Sequence, residues 1–494
     1  MKKVVVIGAG IAGLSAAIYL ARSGFDVTVC EQHSMAGGMC TSWRRKGYLF
    51  EGAVHWLTGS SPQTTLNQVW KETGALNDKV PIFLQERFST IEWEEKTISL
   101  YRDINKTAQC FLAISPDDKK QINELVKDVK AFSHLQMPVT DIKGVNAENP
   151  MRMKGGALIK MLPAFPRLAK LSRVSCKDYA ARFNHPGIQQ ALRVLPDGYN
   201  AVSLIATLAT LDSGDGGYPE GGSLAMVERM VKTFKEPGGK LLLNTPVKKV
   251  MVDNANARVT GVIPENGTAL NADAVIVTQE TIAALERLFE TPPQDKWLEE
   301  LRKNTKPAVC SFIGIGIRAE LPEPAVPTWK LDDPIKYAQK EITEIGFYNY
   351  SKYKGYAPEG CSCLTTIFAG DTYDFWKKAK DEGRYKDEKQ ALAEQISRAV
   401  CRKYPQAEGK IEVIDIATPL TYERYTGAYH GSWMSITGIG DKMKVYPGFS
   451  KNITGLYFAG HRLVPPGGLP VALSTGRTAA QMVCRQFEAL FRSR

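Results

Sequence analysis

Residues 3–31 read KVVVIGAGIAGLSAAIYLARSGFDVTVCE. KVVVI is a continuous apolar run, the kind that forms a strand buried on both faces. Gly8, Gly10 and Gly13 follow on the G-x-G-x-x-G spacing and open a stretch of helical periodicity that stops at Gly24. DVTVC is a second buried strand, and Glu31 ends it. Gly8 permits the tight turn, Gly10 lets the backbone approach a pyrophosphate, and Gly13 lets the helix lie close on the strand. The helix start at Ile11 and Ala12 offers N–H groups and a positive dipole to phosphates. Glu31, with Gln32 beside it, stands where an acid binds ribose hydroxyls. These residues predict a β-α-β unit that binds a dinucleotide.

A second apparent match tests this reading. In CSFIGIGIRAEL, residues 310–321, Gly314, Gly316 and Ala319 fit G-x-G-x-x-A. LPEPAVP overlaps its end at Leu321, and its prolines forbid the helix that a dinucleotide turn requires. The stretch reads as a plain strand, so a separate nicotinamide domain is not expected.

At 494 residues the chain is long enough for two or more lobes. Its 44% hydrophobic and 23% charged content is ordinary for a globular protein. The net charge of +11 suits an anionic cofactor, an anionic membrane surface or nucleic acid. Nucleic acid is not expected, since no RNA-binding signature accompanies the charge. The nine cysteines lack zinc spacing, so no metal is expected, and they suit a reducing cytosol. No run of apolar residues is long enough for a transmembrane helix.

Further along, residues 82–93 and 97–103 read as strands. Residues 223–239 read as a helix that leads into a β-meander over 240–278. Strands of another sheet are expected at 306–318, 341–350 and 362–369, then one helix over 373–403. GLYFAG is a last buried strand, followed by a helix from Leu469, with Pro470 at its first turn.

Three segments resemble the FAD-binding segments of the phytoene desaturase family: the opening unit, QHSMAGGMCTSWRRKGYLFEGAVHW and TGLYFAGHRLVPPGGLPVALSTGRTAA. That family holds carotenoid desaturases, carotenoid isomerases and retinol saturases, within the amine-oxidase-like flavoproteins. GGYPEGGSLAMVERM and GGKLLLNTPVKKV extend the resemblance over nearly the whole chain. The resemblance implies FAD as cofactor. It places the doublet Gly37 and Gly38 beside the flavin, with Met39 where an arginine is common. It puts Val247 on the adenine, Gly460 by the ribityl chain and His461 where an acid is usual. It aims the helix start at Leu469, Pro470 and Val471 at the flavin N1 and C2 carbonyl.

Within FEGAVHW, the resemblance runs His55 and Trp56 along the isoalloxazine ring, after Glu51 in place of the usual aspartate. Trp56 reads as a wall residue. His55 reads either as a hydrogen-bonded wall residue or as the catalytic proton-transfer group, since imidazole is easily tuned near neutral pH. In TPLTYERYTGAYHGSW, the aromatics Tyr425, Tyr429, His430 and Trp433 are candidate substrate contacts.

Residues 151–177 carry seven basic residues and no acid. With Leu168 and Leu171 at helical spacing beside them, they suit an interfacial helix, a membrane-facing lid.

The expected fold class is α/β. A Rossmann-type FAD-binding domain at 1–60, 215–290 and 440–494 interleaves with an α+β substrate-binding domain, sheet plus helices, at 61–214 and 291–439. The expected activity is hydride transfer between flavin N5 and a carbon of an unsaturated lipophilic substrate: a carotenoid, retinoid or polyprenyl-like molecule. Desaturation, saturation and isomerisation all use these parts, and the redox partner stays open. The rivals are an amine-oxidase or protoporphyrinogen-oxidase-like flavoenzyme, and a non-catalytic prenyl-lipid binder of the GDP-dissociation-inhibitor type. The expected location is cytoplasmic, peripheral on a membrane.

Overall fold

In the computed structural model, the strand Lys3–Ile7 pairs in parallel with Asp26–Cys30 on one side and Ala274–Val277 on the other. Leu456–Phe458 and Lys240–Leu242 complete a five-stranded parallel sheet at its two edges. The structure describes every residue except 136, 138, 153–155, 157, 158, 160, 196, 197, 323–325, 442 and 443. Val4 to Ile7 are buried, as a strand covered on both faces requires.

The helix Ile11–Arg22 lies on this sheet, buried from Ile11 to Ala21. Its small residues allow close packing. A Cβ at Gly13 would stand 1.9 Å from the Gly8 carbonyl oxygen, and one at Gly476 would stand 2.2 Å from that of Ala12. Gly476 belongs to the last helix, Leu469–Gln486, whose Leu473 carbonyl accepts a hydrogen bond from Ser15 at 2.8 Å. The two helices that flank the nucleotide turn are therefore locked together.

The meander expected over 240–278 is only partly present. Lys240–Leu242 and Ala274–Val277 join the parallel sheet, while Val247–Asp253, Arg258–Pro264 and Leu270–Asn271 form a separate antiparallel sheet. Leu241 and Val275 are apolar strand residues that both architectures accept; local pattern does not distinguish them.

A second, seven-stranded sheet runs Ile411–Ala417, Cys310–Ile317, Ser362–Ala369, Lys340–Asn349, Val326–Tyr337, Arg87–Trp93, Lys96–Tyr101. Cys310–Ile317 is a strand buried throughout. Its glycines make room for aromatic rings: a Cβ at Gly314 or Gly316 would come within 2.6 Å of Phe50 or 2.4 Å of Tyr48. One face of this sheet packs Ile313, Ile315, Ile345 and Leu364 against Trp376, Leu392 and Ile396 of the flanking helices. Those helices are two, Tyr373–Asp381 and Tyr385–Lys403, because Gly383 turns the chain at φ +77. A further core joins Arg87–Trp93 and Lys96–Tyr101 to the helices Ile104–Ile114, Lys119–Phe132, Ala164–Leu171 and Ala201–Asp212. The architecture is α/β, a Rossmann-type parallel sheet with a second sheet-and-helix unit interleaved. Among the described residues, no helix is long and apolar enough to cross a membrane.

Candidate functional site

Between the two sheets lies a cavity of about 1030 Å³. One end is built by the nucleotide turn. The Gly8 N–H donates to the Cys30 carbonyl at 2.8 Å, with Gly8 at φ +102. The Gly37 N–H donates to the Ala9 carbonyl at 2.9 Å, which lays the Gly-Gly doublet against the turn. Gly37 at φ +128 and Gly38 at φ +58 hold conformations that favour glycine. Gly10 has an ordinary φ of −73 and caps the helix Ile11–Arg22 without a side-chain bond, so its N-terminus faces the cavity.

Glu31, 6% exposed, accepts N–H bonds from Ala9 at 2.7 Å and His33 at 2.9 Å. Burial pushes its pKa up, against those two bonds. The last helix starts at the cavity too, after Gly467 at φ +101 and Gly468 at φ +94. Gly460 is fixed nearby by its N–H bond to Thr475 Oγ1 at 3.0 Å.

Gly8, Gly10, Ile11, Ala12, Glu31, Gln32, Gly37, Gly38, Met39, His55, Trp56, Val247, Gly460, His461, Leu469 and Pro470 all line this cavity. Gly13 does not: it is the contact between helix and strand, and Val471 is buried behind the helix start. Of the aromatic candidates, Trp433 and Tyr425 line the cavity. Tyr425 sits towards the nucleotide turn, where its carbonyl accepts from Gln32 Nε2 at 3.0 Å. Tyr429 and His430 are outside the lining. His430, at φ +52, stacks between Tyr373 at 4.4 Å and Tyr429 at 4.1 Å. That left-handed turn directs the ring away from the cavity and into a stack.

The loop that carries His55 is pinned by Glu51, which is fully buried. Its carboxylate accepts the N–H groups of Ala53 and Val54 at 3.1 Å each and that of Ser223 at 3.0 Å. It also accepts the hydroxyls of Tyr218 and Tyr356 at 3.2 Å each, and that of Ser223. A buried carboxylate so fully satisfied is rigid, and it fixes Ala53 and Val54, which lead into His55.

His55 lies flat on Tyr348, with centroids 4.8 Å and planes 13° apart, and its Nδ1 is 2.7 Å from the Tyr350 hydroxyl. Burial lowers its pKa to about 4. That shift favours the neutral ring at physiological pH. Trp56 meets Phe88 edge-on at 5.2 Å. Tyr348, Tyr350, Phe88, Ile342 and Ile367 line the far part of the cavity, and the sequence reading missed them. Alternation along Lys340–Asn349 marks one face, but not which face meets the site.

Two polar atoms support the fit of a polar ring system here. Trp433 Nε1 and His461 Nδ1 are buried at the cavity wall without a hydrogen-bond partner among the described residues. Burial and the neighbouring Arg462 bring His461 down to about 3, so it too is neutral. Among the described residues, no group of three or more His, Cys, Asp or Glu could hold a metal ion.

Of residues 151–177, none of the described ones lines this cavity. Leu171 is buried and Leu168 packs beside it, so both face the core rather than a membrane. Arg167 pairs with the buried Asp128. Lys154 and Lys160 lie outside the described residues.

Three kinds of comparison converge on this chain. The all-trans-retinol 13,14-reductase of Danio rerio is 24% identical, covering 86% of this chain and 76% of its own. A lycopene-forming phytoene desaturase of a Paracoccus species is 24% identical over 98% and 97%. The chloroplastic prolycopene isomerase of Daucus carota is 23% identical over 97% and 79%. Among solved structures, an oxidoreductase of Methanosarcina mazei matches with TM-score 0.59 at 18% identity, over 97% of this chain and 99% of that one. Putrescine oxidase with bound putrescine matches with TM-score 0.59 at 17% identity, over 98% and 99%. Both structures share the fold. The family model described as flavin containing amine oxidoreductase matches residues 11–484. Because that model covers nearly the whole chain, the chain belongs to the flavin-containing amine oxidoreductase family and is an FAD-dependent oxidoreductase.

Proposed function

We propose that the protein moves hydride between FAD and a carbon of an unsaturated lipophilic substrate, a carotenoid, retinoid or polyprenyl-like molecule. One observation carries this reading: the cavity continues past His55 between aromatic and aliphatic walls, with Trp56, Phe88, Tyr348, Ile342 and Ile367 along it. Such walls suit a hydrocarbon chain. The names of the retinoid and carotenoid relatives agree with it.

FAD, when bound, supplies the hydride acceptor or donor. The turn at Gly8 and Gly10, the Gly37–Gly38 doublet and Glu31 would hold its nucleotide end; the start of the helix Leu469–Gln486 would face its ring. His55 has Nδ1 engaged by Tyr350, which leaves Nε2 for the substrate. With the Tyr350 hydroxyl donating to Nδ1, Nε2 carries a hydrogen and can donate. With Nδ1–H donating to Tyr350, whose hydroxyl then turns to the Val54 carbonyl at 3.4 Å, Nε2 is a base. A substrate carbon that has lost hydride makes its neighbouring C–H strongly acidic, so even an imidazole of low pKa can take that proton. Saturation runs the same two transfers in reverse.

The test is anaerobic mixing of the FAD-loaded protein with phytoene, lycopene, retinol and a primary amine. Bleaching of the oxidised flavin, or recovery of colour from the reduced flavin, is expected with a polyene and not with the amine. Reduction by the amine alone would assign the rival amine-oxidase chemistry.

We also propose that exposed apolar residues Ile159, Leu162 and Phe165, beside Lys170, Arg173 and Lys177, rest on an anionic membrane. These differ from the leucines expected from helical spacing.

A further inference from the structure

The end of the helix Pro419–Thr426 bridges the two strands that flank the nucleotide turn. The parallel sheet sets Lys3–Ile7 between Asp26–Cys30 and Ala274–Val277, so the chain leaves all three strands at one edge. Gln32 follows the strand on one side, and its Nε2 donates to the Tyr425 carbonyl at 3.0 Å. His33 meets the Tyr425 ring edge-on, with centroids 5.1 Å and planes 83° apart. Gln279 follows the strand on the other side, and a Cβ at Gly427 would stand 2.7 Å from its Nε2. The glycine turn lies between them: Thr278, next to Gln279, donates its N–H and its hydroxyl to the Ile7 carbonyl at 3.0 and 2.8 Å. Residues 425 and 427 thus touch both neighbours of the turn. Tyr425, Thr426 and Ala428 line the cavity together with Gly8 and Gly10. In open parallel sheets a dinucleotide lies in the crevice outside such strand ends. A bridge across that crevice covers the space for the nucleotide end of FAD.

The bridge is rooted in the second unit and lightly held on the first. Its helix leaves the strand Ile411–Ala417 of the seven-stranded sheet through a capping box at Thr418, whose Oγ1 lies 2.8 Å from the Tyr385 hydroxyl. Glu423 accepts from the Tyr373 hydroxyl at 3.0 Å. Gly427 and Ala428, just past the helix, are buried. Between these anchors Tyr425 is 43% exposed, held to the parallel-sheet unit by the Gln32 bond and the His33 ring. Arg287 reaches Glu423 only at 3.9 Å. A segment with so few contacts and an exposed edge opens at small cost, as a cover over a bound group must.

We propose that residues 425–427 form a clasp over bound FAD, with Gln32 as its catch, and that this clasp sets how fast the cofactor enters and leaves. Tyr425 then serves cofactor retention rather than substrate contact. The clasp belongs to the second unit and its catch to the parallel-sheet unit, so FAD lies closed in between the two. Both half-reactions of a flavoenzyme use one bound flavin. The clasp supplies the residence time this needs without a contact to the reacting ring.

The experiment follows exchange of bound, labelled FAD against excess unlabelled FAD, and uptake of FAD by the stripped protein through the change in flavin fluorescence. Tyr425→Ala and Gln32→Ala are each expected to release FAD at least about tenfold faster than the parent, with Tm unchanged. Uptake is expected to quicken too, so Kd changes by less than the release rate does. The double variant is expected to release FAD more slowly than the product of the two single effects, because both changes open the same catch. Tyr425→Phe keeps the ring and the carbonyl and is expected to match the parent. Release at the parent's rate in Tyr425→Ala overturns the proposal. Faster release with unchanged uptake also overturns it, since that marks Tyr425 and Gln32 as ordinary FAD contacts. Should the stripped protein not take FAD back, the release rates decide alone: a double variant that reaches the full product of the single effects overturns the clasp. None of these outcomes alters the lipophilic-substrate reading.

Discussion

The Tyr350 hydroxyl stands 2.7 Å from His55 Nδ1, while the imidazole lies flat on Tyr348 at 4.8 Å. One tyrosine sets the plane of the ring and the other sets which nitrogen carries hydrogen. Tyr350→Phe keeps the aromatic body and removes only the hydroxyl. The expected result is unchanged FAD content and Tm with at least a tenfold slower flavin half-reaction, less than the ~10²–10⁴-fold of a full general acid–base effect because the imidazole itself remains. His55→Ala is expected to slow it at least as much. A Tyr350→Phe protein with the parent's rate constant shows that the hydroxyl does not position His55.

The depressed pKa of His55 has a consequence for stability. Its ordinary value is 6.5, and burial brings it to about 4. Below pH 6.5 the unfolded chain takes up a proton at this ring that the folded protein refuses until the pH nears 4. Stability from this group is therefore complete above pH 6.5 and falls as pH drops through that window, by about 1.4 kcal/mol for each unit between the two pKa values. His55→Gln should flatten the acid limb of a urea-unfolding series at pH 7, 5.5 and 4.5. Rate profiles should show no His55 inflection between pH 5 and 8. An unchanged acid limb, or an inflection near pH 6.5 that vanishes in the variant, contradicts the lowered pKa of this ring.

Gly10 and Gly13 share one motif but make opposite predictions. A Cβ at Gly10 meets nothing nearer than the Gly37 carbonyl at 3.8 Å, so Gly10→Val is expected to fold, and to lose FAD because the side chain enters the space for the pyrophosphate. A Cβ at Gly13 collides with the Gly8 carbonyl at 1.9 Å, so Gly13→Ala is expected to lower Tm sharply. Glu31→Ala should lie between them. Loss of a charged hydrogen bond costs about 1.5–3 kcal/mol, or roughly tenfold to a hundredfold in FAD affinity. Absorbance near 450 nm and Tm are measured together on the three proteins. A fully yellow Gly10→Val beside a colourless Glu31→Ala reverses the assignment.

The nucleotide end was legible because its parts are close in sequence. Strand, turn, helix and acid follow within residues 3–31, and each spacing states its own geometry. The far wall was not, because it depends on the register of a distant sheet. Nothing local in EIGFYNY says that Tyr348 will lie under His55 or that Tyr350 will reach its Nδ1. The aromatic block at 418–433 misled for a related reason. His430 takes a left-handed φ and stacks on Tyr373, a residue 57 positions earlier, so a dense run of rings split between cavity and stack. Leu168 and Leu171 had the right period but the wrong side, since periodicity gives a face and not its partner.

The surface at 159–177 offers the last prediction. Ile159, Leu162 and Phe165 are 68, 56 and 47% exposed, an unusual concentration of apolar side chains for a water-facing segment. Lys170, Arg173 and Lys177 are exposed close by. Each basic residue near an anionic leaflet contributes about 1 kcal/mol, and salt screens that attraction. Arg167 is left intact, because its pairing with buried Asp128 makes it part of the fold. Reversing Lys170, Arg173 and Lys177 to glutamate is expected to release the protein from phosphatidylserine-containing vesicles in a flotation assay, with Tm unchanged. Leu162→Ser with Phe165→Ser is expected to weaken binding in high salt as well as low, because insertion of apolar groups is not screened. Neutral vesicles should capture the parent weakly. Flotation that neither set of substitutions changes would place the membrane contact elsewhere on the molecule, and equal flotation with neutral vesicles would remove the electrostatic part of the proposal.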